Sequence, residues 1–460
     1  MKPQRTIAVL AAVAALAVGC SRAGTTPNSP SSSGSTAATQ ATGTFGSLGQ
    51  VCGPGSPTSS PDQGVTTSSI RVGMFTDIGF TRDPTFEDTA KVFTDWCNAA
   101  GGIDGRKIVY DTLDTDLFNV QAEMVKACGQ DFVLAGGGAA LDNLGVETRL
   151  KCLLPSFPAQ VTTTQNWGSS LQVFPSWNMG TWYYYTQYYN WLIKQAYPDS
   201  AQHVGIIAGD EPVTVTDGAE AAEAIKGLGG NVPYQSLYPP TGVADWTPYA
   251  EAIKAKGIKA LIFLGQYSEL AKLELILTNM SYKLDWIDAN SDSYTGAFLG
   301  LAGPSAISYE NNLANLSGLY PVEEAANNPA DKQLVALFAK YEPDTQLSLP
   351  AINAFASWLL FAASASSCGN NLTRTCIYDA ALKQTSWTAG GLMAPVNLST
   401  TVSPPNCWNV EKATPSGWVP ASFGANDGAY ASGGPYYKLR GNYGSPLTLA
   451  NVGESLAALK

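Results

Sequence analysis

The chain reads as an α/β protein of two lobes, each a parallel sheet with helices on both faces. Three observations predict this. Between residues 69 and 157 short β-like runs alternate with helical runs, and the same alternation resumes between 203 and 290. The length, about 440 residues once an N-terminal leader is set aside, exceeds what one core usually holds.

In order, SIRVGMF (69–75) reads as a strand, 86–99 as a helix, KIVYDTL (107–113) as a strand and 119–129 as a helix. DFVLAGG (131–137) is then a strand, 142–151 a helix and LLPSF (153–157) a strand. Residues 180–196 read as one long aromatic helix. The second series is HVGIIAGD (203–210) as a strand, 217–227 as a helix, NVPYQSLY (231–238) as a strand and 247–256 as a helix. KALIFLG (259–265), a helix at 268–279 and DWIDAN (285–290) complete it. Helices are expected at 330–341, 349–366 and 377–384. The last 60 residues, rich in Gly, Pro and Trp, read as loops with short strands.

The N-terminus gives the address. Lys2 and Arg5 precede an apolar run at 7–19, too short to span a bilayer, which stops at Cys20 behind Ala17, Val18 and Gly19. This resembles a bacterial lipoprotein signal. The resemblance implies removal of residues 1–19, acylation of Cys20 and anchoring at the outer face of the cell membrane. Residues 21–50 are dominated by Ser, Thr, Gly, Ala and Pro, so 20–67 is expected to be a disordered linker. Beyond Cys20 no uninterrupted stretch approaches a membrane-spanning length.

Charged residues make up 14% of the chain, against about 25% in an average domain, and the net charge is −11. With no Lys/Arg cluster to displace phosphate counterions, nucleic acid is not an expected partner. His203 is the only histidine, and GxSxG, P-loop and HExxH motifs are absent, so neither an enzyme nor a metal site is expected, and no cofactor. Setting Cys20 aside leaves seven cysteines, hence one unpaired thiol in an exported chain. The topology makes Cys128 with Cys152, and Cys52 with Cys97, reasonable pairs. Cys368 with Cys376 would close a short loop, with Cys407 left over or displacing one of that last pair.

The stretch NAAGGIDGR (98–106), a strand, DTD (114–116), LPSFPAQVTTT (154–164), VGIIAGD, GLGGNV, ADW (244–246) and GIKALIFLG follow one another in an order that resembles the type I periplasmic-binding fold. The branch is that of the branched-chain amino acid-binding proteins of ABC transporters. It implies two Rossmann-like lobes joined by three crossovers. Lobe 1 is expected over 68–175 plus 322–395, and lobe 2 over 176–321 plus 396–460. Gly101, Gly102 and Gly105 are read as turn residues, and Asp114 and Asp116 as caps of the following helix.

In such sheets ligands sit beyond the carboxyl ends of the strands. That places the candidate ligand contacts at Asp77, Phe80, Thr81, Gly138, Ala139, Ala140, Ala159, Gln160 and Thr162 on the first lobe. On the second lobe they are Asp210, Thr214, Gln266, Tyr267, Asn290 and Asp292, with Tyr320 near a crossover. Amino acid binders of this family place serine hydroxyls after the third strand, whereas this chain has Gly138-Ala139-Ala140. Helix amides remain there, and the hydroxyls do not. Trp182, Tyr185, Tyr189 and Leu192 recur at helical spacing and read as a core stripe, with Trp177, Trp182 or a neighbouring tyrosine as the candidate stacking residue at the cleft mouth. Asp77, Asp210 and Asp292 would suit an ammonium group.

The expected function is capture of a small polar or amphipathic solute, such as an amino acid or amide, by a monomer that presents it to a membrane ABC permease. The alternative is a ligand sensor or surface interaction lipoprotein on the same fold, without transport.

Overall fold

The computed structural model describes residues 42–176, 182–399 and 406–459. The expectations for Cys20 and Trp177 lie outside them. A hairpin of β1 (Thr44–Phe45) and β2 (Leu48–Gln50) precedes β3 (Ser69–Thr76), α1 (Ile78–Thr81), α2 (Thr85–Ala100), β4 (Lys107–Asp114) and α3 (Val120–Gln130). Then come β5 (Val133–Ala135), α4 (Asn143–Lys151) and β6 (Ser156–Phe157). These strands form a parallel sheet in the order β4-β3-β5-β6.

The chain continues through β7 (Trp182–Tyr183), α5 (Thr186–Trp191), β8 (Val204–Gly209), α6 (Pro212–Gly227), β9 (Tyr234–Tyr238) and α7 (Thr247–Ala255). Next are β10 (Ala260–Leu264), α8 (Tyr267–Asn279), β11 (Trp286–Asp288), α9 (Gly296–Tyr309) and β12 (Asn312–Asn315). It returns to the first sheet as α10 (Pro329–Tyr341), α11 (Leu349–Cys368) and α12 (Arg374–Leu382). It ends with β13 (Cys407–Trp408), β14 (Val410–Thr414), β15 (Gly417–Pro420), β16 (Ala431–Ser432) and β17 (Tyr437–Lys438). The second sheet runs β15-β14-β12-β11-β10-β8-β9, with β14 and β15 antiparallel at one edge. Three crossovers join the lobes, after β6, after β12 and after α12.

Both sheets are covered on both faces, so their strands read as continuous apolar runs: all five residues of β10 are buried. The glycine-rich stretch before β4 is scaffold, as expected. Gly102 has φ 84°, and a Cβ there would lie 2.1 Å from the Arg106 carbonyl oxygen. The buried Arg106 guanidinium donates to the carbonyls of Thr66 (2.9 Å), Gly369 (3.1 Å) and Ser59 (3.2 Å), tying three segments together. Asp114 caps differently from expectation: its carboxylate accepts the amides of Gly79 and Asp116, both at 3.1 Å, and so holds the loop after β3 rather than the N-terminus of α3.

Four expectations are corrected. Residues 42–67 are not free linker: Phe45 is fully buried against Trp96 and Phe355, and Cys52 is bonded to Cys97. The Phe45 anchor and the disulfide outweigh the polar composition around them. The aromatic stretch is not one long helix but β7, the short α5 and a π-helical turn at Leu192–Ala196; of the expected core stripe Tyr185, Tyr189 and Leu192 are buried, while Trp182 is half-buried, its ring 6.2 Å from that of Tyr436. The membrane expectation also changes. The helix over Leu349–Asn371 is long and apolar enough to cross a bilayer, but 83% of its apolar window is buried in the first lobe, as suits a core helix. Finally, Cys128–Cys152 and Cys368–Cys376 pair as expected, yet Cys407 is disulfide-bonded too, and no described cysteine is free.

Candidate functional site

The carboxyl ends of both sheets point toward the space between the lobes, and the loops there are held by short-range hydrogen bonds. Asp77, first after β3, is buried. One carboxylate oxygen accepts the Leu117 amide at 3.2 Å and the Thr115 hydroxyl; the other accepts the Ala140 amide at 2.7 Å. Thus the amide that would meet a ligand carboxylate after the third strand is already paired with one of the protein's own. The Gly138 amide donates to the Phe75 carbonyl (3.0 Å) and the Ala159 amide to that of Gly137 (2.9 Å). Thr162 donates to the carbonyls of Ala139 and Ala140, both at 3.0 Å. Buried Asp142, missed by sequence reasoning, accepts the amides of Thr162 and Thr163 and the side chain of Asn166, so it fixes the loop after β6.

The same holds for part of the second lobe. Thr214 donates to the Gly209 carbonyl at 2.6 Å inside the first turn of α6. Asn290, at φ 56°, donates to the carbonyls of Phe263 and Gly265 and accepts the Asp292 amide. Tyr320 sits at the second crossover, its amide on the Leu392 carbonyl and its ring 6.4 Å from Tyr430. Back on the first lobe, Thr81 donates to the Asp77 carbonyl at 3.0 Å. The side chains left facing outward from these loops are Phe80, Gln160, Asp210, Gln266, Tyr267 and Asp292.

The electrostatics of this face are one-sided. Asp292 is open to solvent, yet protein surrounds it closely enough that burial, with repulsion from Asp83 across the cleft, pushes its carboxyl up to about 6. Burial, then Asp292, pushes Asp217 up to about 7. Burial raises Glu211 as well. Tyr267 is raised by burial and then by Asp83, a second sign that the two lobes face each other here. Tyr184 and Tyr185, with ring centroids 3.9 Å apart, lie beside Asp217 and Asp292. Sequence reasoning named neither Asp83 nor Asp217; the usable signal was an acidic side chain one turn into the helix after β8. Arg82 is the one cation in these loops.

Two cavities are present among the described residues, one beneath these loops and one away from them. One of about 40 Å³ behind Gly138 and Gln160 has room for little more than a water. The other, about 530 Å³, is lined by Lys283, Asp285, Asn311 and Lys412 and opens at the N-terminal ends of β11 and β12, away from the cleft. Among the described residues no cluster of His, Cys, Asp or Glu could hold a metal ion.

The chain matches the model of the periplasmic binding protein family over residues 69–410. No curated protein sequence matches it. Among solved structures it is similar to a fatty acid ABC transporter substrate-binding protein from Thermomonospora curvata: 18% identity, TM-score 0.65, covering 85% of this chain and 98% of that one. It is also similar to a leucine-binding protein from Thermotoga maritima (13%, TM-score 0.62, 76% and 97% covered). A third is a branched-chain amino acid transporter substrate-binding protein from Streptococcus pneumoniae in complex with isoleucine (16%, TM-score 0.58, 77% and 100% covered). With a match to the family model over residues 69–410 and two sheets of mostly parallel strands joined by three crossovers, the chain belongs to the periplasmic binding protein family and has its type I fold.

Proposed function

We propose that this protein is the lipid-anchored, extracellular solute-binding component of an ABC transporter, held at the membrane through Cys20. Its ligand is a small polar or amphipathic solute that offers a neutral or cationic donor group in place of a free carboxylate. Lobe 1 comprises 68–175 and 322–395, and lobe 2 most of 176–321 and 396–443. Hinged closure of the two on the solute, and presentation of the closed form to the permease, are the mechanism. One observation carries the ligand class: Asp77 occupies the Ala140 amide. A ligand carboxylate placed there would lose that donor and lie against the Asp77 carboxyl, on a face that already carries the acidic side chains of Asp83, Asp217 and Asp292. An amide or ammonium group would instead find acceptors at those carboxylates and apolar cover from Tyr184 and Tyr267.

The test is mass spectrometry of small molecules released on denaturing the purified protein, followed by thermal melts with matched pairs such as isoleucine and isoleucinamide. A ligand at 100 times its dissociation constant adds about 2.7 kcal/mol. Stabilisation by the carboxylate member of each pair, with none by its amide or amine counterpart, would sink the assignment. An empty cleft that no solute stabilises would point to a role without transport.

A further inference from the structure

The chain crosses between the lobes a fourth time, in a segment beyond the residues that match the family. On lobe 2, β17 pairs antiparallel with β7, and the Tyr437 amide donates to Thr186 at 3.2 Å. Glu223 on α6 then gathers the next turn. It accepts the Tyr437 hydroxyl (3.0 Å), the Arg440 amide (2.7 Å), the Gly441 amide (2.9 Å) and the Tyr443 hydroxyl (2.8 Å). Burial raises this carboxyl, but these bonds, led by the Arg440 amide, outweigh it and leave it below its ordinary value.

On lobe 1, the Tyr443 carbonyl accepts the Thr164 hydroxyl at 2.6 Å. Leu447 exchanges backbone bonds with Gln165 (2.9 Å) and Ser170 (3.1 Å), and the Leu449 amide donates to the Ser170 hydroxyl at 3.1 Å. Leu449 is buried. The expectation that 396–460 belongs wholly to lobe 2 is therefore corrected for 444–459: the apolar Leu447 and Leu449, set among Gly and Pro, anchor on the other lobe.

There is no slack between the anchors. Tyr443 touches both lobes itself, by its hydroxyl and its carbonyl. Only Gly444, Ser445 and Pro446 separate it from Leu447, a stretch whose four steps reach roughly 14 Å when fully extended. Gly444 has φ 106°, and a Cβ there would lie 2.5 Å from the Thr164 hydroxyl oxygen, so the approach is already close. Proline removes further freedom.

We propose that residues 437–449 form a strap that limits how far the lobes swing apart, with Glu223 as its anchor on lobe 2. The strap acts in parallel with the three crossovers and narrows the range of open states from which a solute is captured.

The test is hydrogen exchange and small-angle scattering on the unliganded full chain. Glu223→Ala should speed amide exchange across 440–447 about tenfold or more. It should also raise the radius of gyration by about 1 Å, above the roughly 22 Å of a compact chain this size. A second variant, six Gly/Ser residues inserted between Ser445 and Pro446, keeps both anchors and adds slack. It should raise the radius of gyration equally while leaving Arg440 and Gly441 protected. Scattering unchanged in a folded slack variant would overturn the proposal, as would unchanged exchange at 440–447 in Glu223→Ala. Neither measurement depends on the ligand's identity, so failure here leaves the ligand assignment standing, and the reverse.

Discussion

At the residue scale, the side chain that matters most is one whose position suggested ligand contact and whose bonds point inward. Asp77 accepts three donors, from Thr115, Leu117 and Ala140, in a buried loop. Removing an acceptor from a buried donor costs about 1–3 kcal/mol, and losses that share one loop do not add fully. Asp77→Ala is expected to lower stability by about 2–4 kcal/mol. Asp77→Asn, which keeps one oxygen and the shape, should lose less. Urea unfolding measures this as a lower midpoint at unchanged slope. A loss within about 0.5 kcal/mol for the alanine variant, the range of ordinary surface changes, would mean that Asp77 does not hold the loop. The sequence located this residue after the first strand because strand ends are legible from apolar runs. It could not reveal the Ala140 partner, 63 residues away, because that contact exists only once β3 and β5 are paired.

At the element scale, alternation was the readable signal and irregularity the unreadable one. The strands of the parallel sheets and the helices between them stand where the period of the apolar pattern changes, because each must bury a face. The N-terminal segment escaped because Phe45 and Cys52 are isolated apolar residues among Ser, Thr and Gly, and their partners Trp96 and Cys97 lie on α2. Those partners yield a prediction. In the chain-entropy account a disulfide stabilises in proportion to the logarithm of the loop it closes. Cys52–Cys97 spans 45 residues and Cys368–Cys376 spans 8. Paired serine substitutions should therefore cost about 4 kcal/mol at the first and about 2.5 kcal/mol at the second. The first should in addition expose residues 44–66 to protease while α2 stays folded. Equal losses at both, without new cleavage, would show that the N-terminal segment is held by Phe45 alone.

At the scale of the whole molecule, the cleft was legible as a place and not as a chemistry. Strand ends located its loops, but the acidic face arises from residues distributed over both lobes, and which of them face one another is set by packing. The same distribution makes the fold sensitive to pH. Burial pushes Asp331 up to about 8 and, with Glu323 and Glu324 adding repulsion, Glu411 up to about 9. Asp131 and Glu220 are likewise raised to about 8, burial leading in each. In the unfolded chain these groups titrate near 4. Between pH 4 and 8 the native state therefore holds protons that the unfolded state has released, and stability falls as pH rises. Carboxyls held low in the fold, such as Glu223 and Glu269, act oppositely, but only below about pH 4.5, where the unfolded chain takes up protons. Above pH 5 the raised groups decide the sign. The protein should be more stable at pH 5 than at pH 8 by an amount on the order of a few kcal/mol. Asp331 is fully buried and neither carboxyl oxygen has a hydrogen-bond partner among the described residues, so it should carry a distinct share of that slope. Asp331→Asn is expected to flatten the decline between pH 5 and 8 whatever it does to stability at either end. Denaturant titrations at a series of pH values measure both slopes; a wild-type stability that rises toward pH 8 would contradict the buried carboxyls' protonation in the native state.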